Sequence, residues 1–430
     1  MHPDPNHNLT LYSTPRAVEA AFATELATVA PGLGMAYADA LPQARSAVLG
    51  RLWRALLYEP LPGVIAQDGL HGRVELRDGR VLSGPPRLPH DLGTPQDGLV
   101  VRVGSRAYTH PAALLTAIDL PGAADLTAEL DHSVASLALS RAGAAAVVSK
   151  TGADAHRSLE YFEQSVIDGH PYHPCCRSRP GFSVTEQLAY GPEHRPVVGV
   201  DLVAIPAEDC HVVGRWPSRL RDGDTLLLPV HPWQSEHVLT ELGHRPAVTA
   251  AIPAHPLMSV RTLAPLAGGP HLKTALTMRL TSQIRDISPD SVTNSTPLSA
   301  LLSNVVERLG GGLWITRNLA AASAVVNGTP SADLAALLRE PPDIARLRTG
   351  ETVMPIAALT ARPAGDSPPL IHSLLASAGA TDITDWLAAF TGLLLPPLLR
   401  LLAFGVALST HGQNLLVVLD EHARPRRFVY

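Results

Sequence analysis

Lysine is nearly missing from this chain. Of its 34 basic residues only Lys150 and Lys273 are lysines, a bias toward arginine that suggests a GC-rich genome. Cysteine is scarce as well. Cys175, Cys176 and Cys210 form neither a C-x-x-C pair nor an even framework, which fits a reduced, cytoplasmic setting. Surplus charge is also lacking: 17% of residues are charged and the net charge is −5, unlike the basic balance of a nucleic-acid binder. The opening MHPDPNHNLTLYS has no cationic start and no apolar h-region, so no secretion signal is legible in it. There is no GxxxxGK[ST] and no Rossmann motif, and the glycines at 310–312 lack a following lysine. Any nucleotide would have to be held by side chains on a sheet rather than by a P-loop.

With 430 residues the chain can bury one large core or two to three smaller ones. Its one long apolar run, WLAAFTGLLLPPLLRLLAFGVAL at 386–408, has the length of a membrane span but carries Pro396, Pro397 and Arg400 near its middle. Two buried helices meeting at the proline pair are expected instead, and no membrane partner.

Patterning along the chain predicts helices over the first 60 residues and small hairpins at 73–82 and 98–110. Helices are expected at 111–118, 124–142 and 155–167. Strands follow at 197–205, 224–232, 258–263 and 271–285, then helices and loops over 329–385. LLVVL (415–419) and RRFVY form a last hairpin, inside which the chain stops, so a C-terminal portion is expected to be absent or supplied elsewhere. The fold class is α/β (α+β), with a mostly helical region at 1–150, a sheet-rich binding region at 151–328, and a helical segment beginning a truncated domain at 329–430.

Histidine precedes proline six times, at His2, His110, His170, His173, His231 and His255. Random placement would give roughly 2 such pairs. In GHPYHPCCRSRPG (169–181) the prolines favour polyproline geometry, so His170 and His173 would project to one side of a stiff loop. Zinc binding with Cys175 or Cys176, vicinal redox chemistry, buried structural histidines, and an anion grip by His170 with Arg177 and Arg179 are all open to this motif.

The stretch HLKTALTMRLTSQIR (271–285) is more informative. As one strand it puts Leu272, Leu276, Met278, Leu280 and Ile284 on a core face, and Lys273, Thr277, Arg279, Thr281 and Arg285 on the other. A solvated face would be the plain explanation. Against it, a lysine persists here in a chain that otherwise uses arginine, and no acid breaks the row. Folded back on PLMSVRTL, the strand would display Ser259, Arg261, Lys273, Thr281 and Arg285 together, a surface suited to polyphosphate or a polycarboxylate. STHGQNLLVVL (409–419) adds His411, Gln413 and Asn414 on a turn between a helix and a strand.

Together EQSVIDGHPYHPCCRSRPGF (163–182), YGPE (190–193), LPVHPWQ (228–234), SVRT (259–262) with K…TSQIR (273–285), and HGQN (411–414) resemble the NRPS-independent siderophore synthetases of the IucA/IucC type, in the family's order. The resemblance implies a cupped-hand fold whose largely antiparallel sheet carries an ATP site. It implies a ligase that adenylates a carboxylate of citrate or a related polycarboxylate, then passes the acyl group to an amine or hydroxyl, using ATP and Mg²⁺. By position, His170, Arg177, Ser259, Arg261, Thr262, Lys273, Gln413 and Asn414 would hold ATP. Thr281, Arg285 and His411 would bind the carboxylate, with Lys273, Arg285 and His411 at the chemistry and Asn414 at the metal. A homodimer is implied too. Three positions depart from the pattern: Arg177 replaces the usual lysine, Ser409 replaces an acidic residue, and the family's Arg-Asp would fall beyond Tyr430. A relative that binds nucleotide or citrate but needs a missing part or partner chain for turnover is the alternative.

Overall fold

A computed structural model describes residues 16–91, 98–148, 158–310, 312–342, 347–362, 368–377, 379 and 382–430. His2, Lys150, Gly311 and the expected helix start at 155 lie outside the described residues. The chain forms two compact units, each discontinuous in sequence: Met1–Ala146 with Ile167–Leu188 and Met278–Ile284, and Val147–Val166 with Ala189–Thr277 and Arg285–Tyr430.

The first unit opens on the helices Ala17–Val29 and Gly34–Tyr58. In the second helix Ala44, Val48, Leu52 and Leu56 recur every four residues and are buried, with Leu49, Trp53 and Leu57 beside them. That is the stripe of a helix lying against a core. Five short strands, Val64–Asp68, Arg73–Leu76, Val81–Ser83, Val101–Val103 and Arg106–Tyr108, pair in chain order into an antiparallel meander. The helices Pro111–Ile118 and Ala124–Val148 follow. Val134, Leu137 and Ala138 of the latter enter the same core as Cys175, Cys176 and Val184.

The second unit is built on a nine-stranded sheet, antiparallel at every step. Its order is Cys210–Gly214, Asn318–Val326, Thr329–Arg339, His271–Thr274, Thr262–Pro265, Val248–Pro256, Val198–Pro206, Thr225–Val230, Arg221–Asp222. A four-stranded sheet of Leu313–Trp314, Pro425–Val429, Leu416–Leu419 and Thr352–Pro355 accompanies it.

Three expectations are corrected. TPSADLAALLR (329–339) forms the longest strand of the sheet, although its alanines and leucines favour helix. Its residues from Asp333 to Leu338 are buried between two strand neighbours, and that tertiary setting overrides propensity. The stretch 271–285 is not one strand but three, His271–Thr274, Leu276–Leu280 and Gln283–Arg285, with Thr281 at a left-handed φ of 62° between the last two.

The prolines at 396 and 397 do not separate two helices: Ile383–Ala403 is one helix containing both. Trp386, Phe390, Pro397 and Leu401 form a single buried stripe that continues across the pair, and this face holds the helix together. By length and composition it could cross a membrane. Here one side is packed, with Trp386 Nε1 donating to the Ala423 carbonyl at 2.7 Å and Phe390 set edge-on to Phe428.

Candidate active site

In the second unit the site begins where strand Val248–Pro256 turns into Thr262–Pro265. Residues 258–261 were expected to start the second strand but form the turn itself. The Leu257 amide donates to the Thr262 carbonyl at 2.8 Å, and the Val260 amide to the Leu257 carbonyl at 2.8 Å. The Ser259 hydroxyl accepts from the Thr262 amide at 3.1 Å and donates to Oγ1 of Thr262 at 2.8 Å. Val260 sits at φ 67°, a costly left-handed conformation for a β-branched residue. Such strain persists only where the surroundings determine it, and it keeps Ser259, Arg261 and Thr262 on one tight bend.

The sheet sets the cations beside that bend. Thr262 pairs directly with Lys273, and His271 pairs with Arg339. Residues two apart on a strand share a face, so His271, Lys273 and Arg339 lie on the same side of the sheet. Burial pulls the Lys273 ammonium down to about 7, assisted by the positive charges of Arg261, Arg339 and Arg285. Burial with Arg285 nearby lowers Arg261 to about 10, which still leaves it a cation at neutral pH. Burial also lowers Arg339 and Arg285. Three arginines gathered around a lysine held near half-charge make a surface suited to an anion, because a bound phosphate or carboxylate would offset both the burial and the mutual repulsion.

Arg339 had no signal in the sequence. It ends a segment that reads as helix, and an arginine is unremarked in an arginine-rich chain. Glu163 was likewise missed: burial raises its carboxyl to about 7 while the Met258 amide and Arg339 oppose the rise.

His411 lies on the loop after helix Ile383–Ala403. Its carbonyl accepts from the Asn414 and Leu415 amides at 3.0 and 3.2 Å. Gly412 passes so close to Ala357 that a Cβ there would stand 3.2 Å from the Ala357 nitrogen. Burial, and then Arg285, lower the His411 imidazole, which favours its neutral form. Asn414 Nδ2 donates to the Ser409 carbonyl at 3.3 Å, leaving Oδ1 as an acceptor. Mg²⁺ seeks carboxylate and phosphate oxygens. Residues 409–414, Ser-Thr-His-Gly-Gln-Asn, supply no carboxylate, so this loop does not fit a protein-held Mg²⁺.

In the first unit the His-Pro loop is internally tied. His170 Nδ1 accepts from the Tyr172 and His173 amides at 3.2 and 3.0 Å, and His173 Nδ1 from the Cys175 amide at 3.0 Å. Arg51 donates to the His170 and Asp168 carbonyls. Arg177 is buried, with its Nε on the Ile167 carbonyl at 2.5 Å, and the Arg179 amide donates to His132. Cys175 and Cys176 are core residues, and burial beside Glu129 pushes the Cys175 thiol up. Among the described residues no metal-compatible cluster includes either cysteine. The amide of half-buried Thr281 donates a long contact to the Ser178 carbonyl, 3.5 Å.

A bend of Ser, Arg and Thr beside a cationic antiparallel sheet, with no GxxxxGK[ST] in the sequence, marks an α+β protein. Residues 158–361 match the family model described as IucA / IucC family, and 384–430 match that of the ferric iron reductase FhuF-like transporter. Over just under half of its length the chain is thus similar to the IucA/IucC family, and the curated proteins it resembles include siderophore biosynthesis proteins. It is 26% identical to the rhizobactin siderophore biosynthesis protein RhbF of Rhizobium meliloti, over 90% of this chain and 72% of that one. It is 23% identical to staphyloferrin A synthase of Staphylococcus aureus, over 61% of this chain and 50% of the relative. It thus spans about three quarters of one relative and half of the other.

Among solved structures, the ATP-bound aerobactin synthetase IucA of Klebsiella pneumoniae superposes at a TM-score of 0.71, 18% identity, covering 90% of this chain and 78% of that one. The petrobactin biosynthesis protein AsbB of Bacillus anthracis superposes at 0.66, 20% identity, covering 97% and 75%. At such identities the likeness establishes the fold: helices with a largely antiparallel sheet.

Proposed function

We propose that the protein is a cytoplasmic, ATP-dependent ligase that activates a carboxylate of citrate or a related polycarboxylate and joins it to an amine or hydroxyl in siderophore assembly. The observation that carries this reading is Lys273, held near half-charge among Arg261, Arg285 and Arg339 and paired with Thr262 at the edge of a strained turn. The ATP-bound relative of the same fold supports ATP as the anion.

In this reading Ser259, Arg261, Thr262 and Lys273 hold the polyphosphate, with Gln413 and Asn414 at the nucleotide. Arg285 neutralises the substrate carboxylate, and neutral His411 donates a hydrogen bond to it. A carboxylate oxygen attacks the α-phosphorus while the bond to the β-phosphate oxygen breaks, giving an acyl-adenylate and pyrophosphate. The amine or hydroxyl then attacks the acyl carbon and AMP leaves, the nucleophile's proton passing to solvent or a nearby base. Positive charge placed before the reaction stabilises the charge gathering on the phosphoryl oxygens, and alignment supplies much of the rest. No step is routed through Mg²⁺.

The resemblance also gives His170 and Arg177 to the nucleotide and Thr281 to the carboxylate; their own substitutions test those roles. The test of the reading is hydroxamate formation from citrate and hydroxylamine, dependent on ATP and matched by pyrophosphate release. A second reading, a relative that binds nucleotide or citrate without turnover, is favoured by the carboxylate-free 409–414 loop. Binding without hydroxamate would select it.

A further inference from the structure

The strained turn is held from outside by two consecutive residues. Glu163 and Gln164 end the short helix Leu159–Gln164, and both are buried. Gln164 Nε2 donates to the Pro256 carbonyl at 3.2 Å, and Glu163 Oε2 accepts from the Met258 amide at 3.0 Å. The two contacts bracket Leu257, whose amide closes the turn onto Thr262. Glu163 and Gln164 therefore fix the entry to the bend just before Ser259.

The Glu163 carboxyl also faces charge. Glu160 stands on its own helix and Arg339 on strand Thr329–Arg339. Arg339 in turn faces Tyr430 as well as Glu163, His271 faces Glu160 and Arg339, and Lys273 faces Arg261, Arg339 and Arg285. Glu163 is thus the acidic group joined at once to the turn, by a hydrogen bond, and to the cation cluster, through Arg339.

We propose that Glu163 is the positioning residue of the phosphate-binding turn, its carboxylate fixing the Met258 amide and thereby Ser259 and Arg261 while it balances the charge of Arg339. This role rests on the ligase reading for its ligand but not for its structural content. Because burial places the carboxyl at about 7, it is ionised at pH 8 and largely protonated at pH 6. Protonation removes the charge that balances Arg339 and weakens the bond to the Met258 amide.

The experiment is calorimetric titration of the full chain with ATP·Mg²⁺, and separately with tripolyphosphate, from pH 6 to pH 8.5, for wild type and Glu163→Gln. Glutamine keeps the size and an acceptor oxygen but carries no charge at any pH. The ratio of the two affinities cancels the titration of Lys273 and of the ligand. The expected ratio is roughly tenfold in favour of wild type at pH 8, falling toward one at pH 6. A ratio that is near one throughout, or constant with pH, overturns the proposal.

Backbone amide exchange at 257–262 in Glu163→Asp gives a second, ligand-free reading. Aspartate keeps the charge but withdraws the oxygen from Met258, so these amides should exchange faster while the rest of the nine-stranded sheet does not change. Unchanged exchange at 257–262 overturns the proposal. A wild type that binds neither probe sinks the ligase reading instead, and the exchange result still decides whether Glu163 holds the turn.

Discussion

Arg261 donates through a single nitrogen, Nη1, to the backbone carbonyl of Arg285 at 2.5 Å, and the same nitrogen reaches the carbonyl of Asp286 at 2.6 Å. The guanidinium thereby ties the bend after strand Val248–Pro256 to the segment carrying the candidate carboxylate-binding arginine. A planar fork can hold a carbonyl with one arm and an anion with another, which a lysine cannot. The Arg261→Lys variant should keep a positive charge yet lose the tie. It is expected to weaken tripolyphosphate binding by roughly tenfold or more and to lower stability by about 1–2 kcal/mol in denaturant titration. Affinity and stability both equal to wild type would remove the tie from the site.

Lys273 predicts a proton linkage. With its ammonium at about 7, the group is mostly neutral at pH 8, and a polyphosphate beside it favours the charged form. Binding at pH 8 should therefore take up a fraction of a proton, and affinity should fall as pH rises through 7 to 8. Calorimetry in buffers of differing ionisation enthalpy reads this directly. Lys273→Met should abolish the uptake, and uptake that survives that change would assign it elsewhere. For the empty protein the sign is opposite. Between about 7 and the ordinary lysine value of 10.5 the unfolded chain binds more protons at this position, so its contribution to stability rises with pH across that window.

Gly169 begins the His-Pro loop at φ 68°, and a Cβ on it would stand 2.4 Å from the Cys176 carbonyl oxygen. Backbone cannot yield as a flexible side chain can. The Gly169→Ala variant should lose about 2–4 kcal/mol from the left-handed strain and the overlap combined. Chemical denaturation measures it, and a loss within 0.5 kcal/mol, about that of an ordinary surface change, would show that the loop re-forms around the new methyl.

The cysteines should be chemically quiet. Cys175 is buried with its thiol pushed well up by burial and Glu129, and burial beside Asp209 raises half-buried Cys210 to about 11. Native protein is expected to react slowly with a thiol reagent at pH 8 and to release all three thiols only on unfolding. Rapid modification at Cys175 without unfolding would reopen the redox reading of the paired cysteines.

Much of the architecture was legible because it is local. The paired helices before Tyr58, the hairpins around Asp78 and Gly104, and the strands 198–206 and 225–230 follow from periodicity and turn residues. That the segment before 263 folds back beside Lys273 was legible for the same reason, since a short glycine-containing loop joins two patterned segments, but the register was not: Ser259 and Arg261 were expected opposite the lysine, and Thr262 is its partner. What escaped depends on distant parts of the chain. Thr277, on the polar face of the expected strand, is buried and bonded to Gln234 and Asp333. The strand identity of 329–339 comes from its neighbours, and so does the placement of Arg339. Glu163 stood in a quoted motif, but its meeting with Met258, ninety-five residues on, leaves no trace in spacing. The proline pair misled because the rule for a proline in a helix concerns the backbone, whereas the stripe from Trp386 to Leu401 is a property of the core.

The central claim is that this sheet activates a carboxylate on ATP. Its most direct test is exchange of labelled pyrophosphate into ATP, with the full chain, Mg²⁺ and citrate, compared with the same mixture lacking carboxylate. The account predicts carboxylate-dependent exchange that falls by roughly a hundredfold or more in Lys273→Ala and Arg285→Ala. Exchange independent of any carboxylate, or retained in both variants, would contradict it.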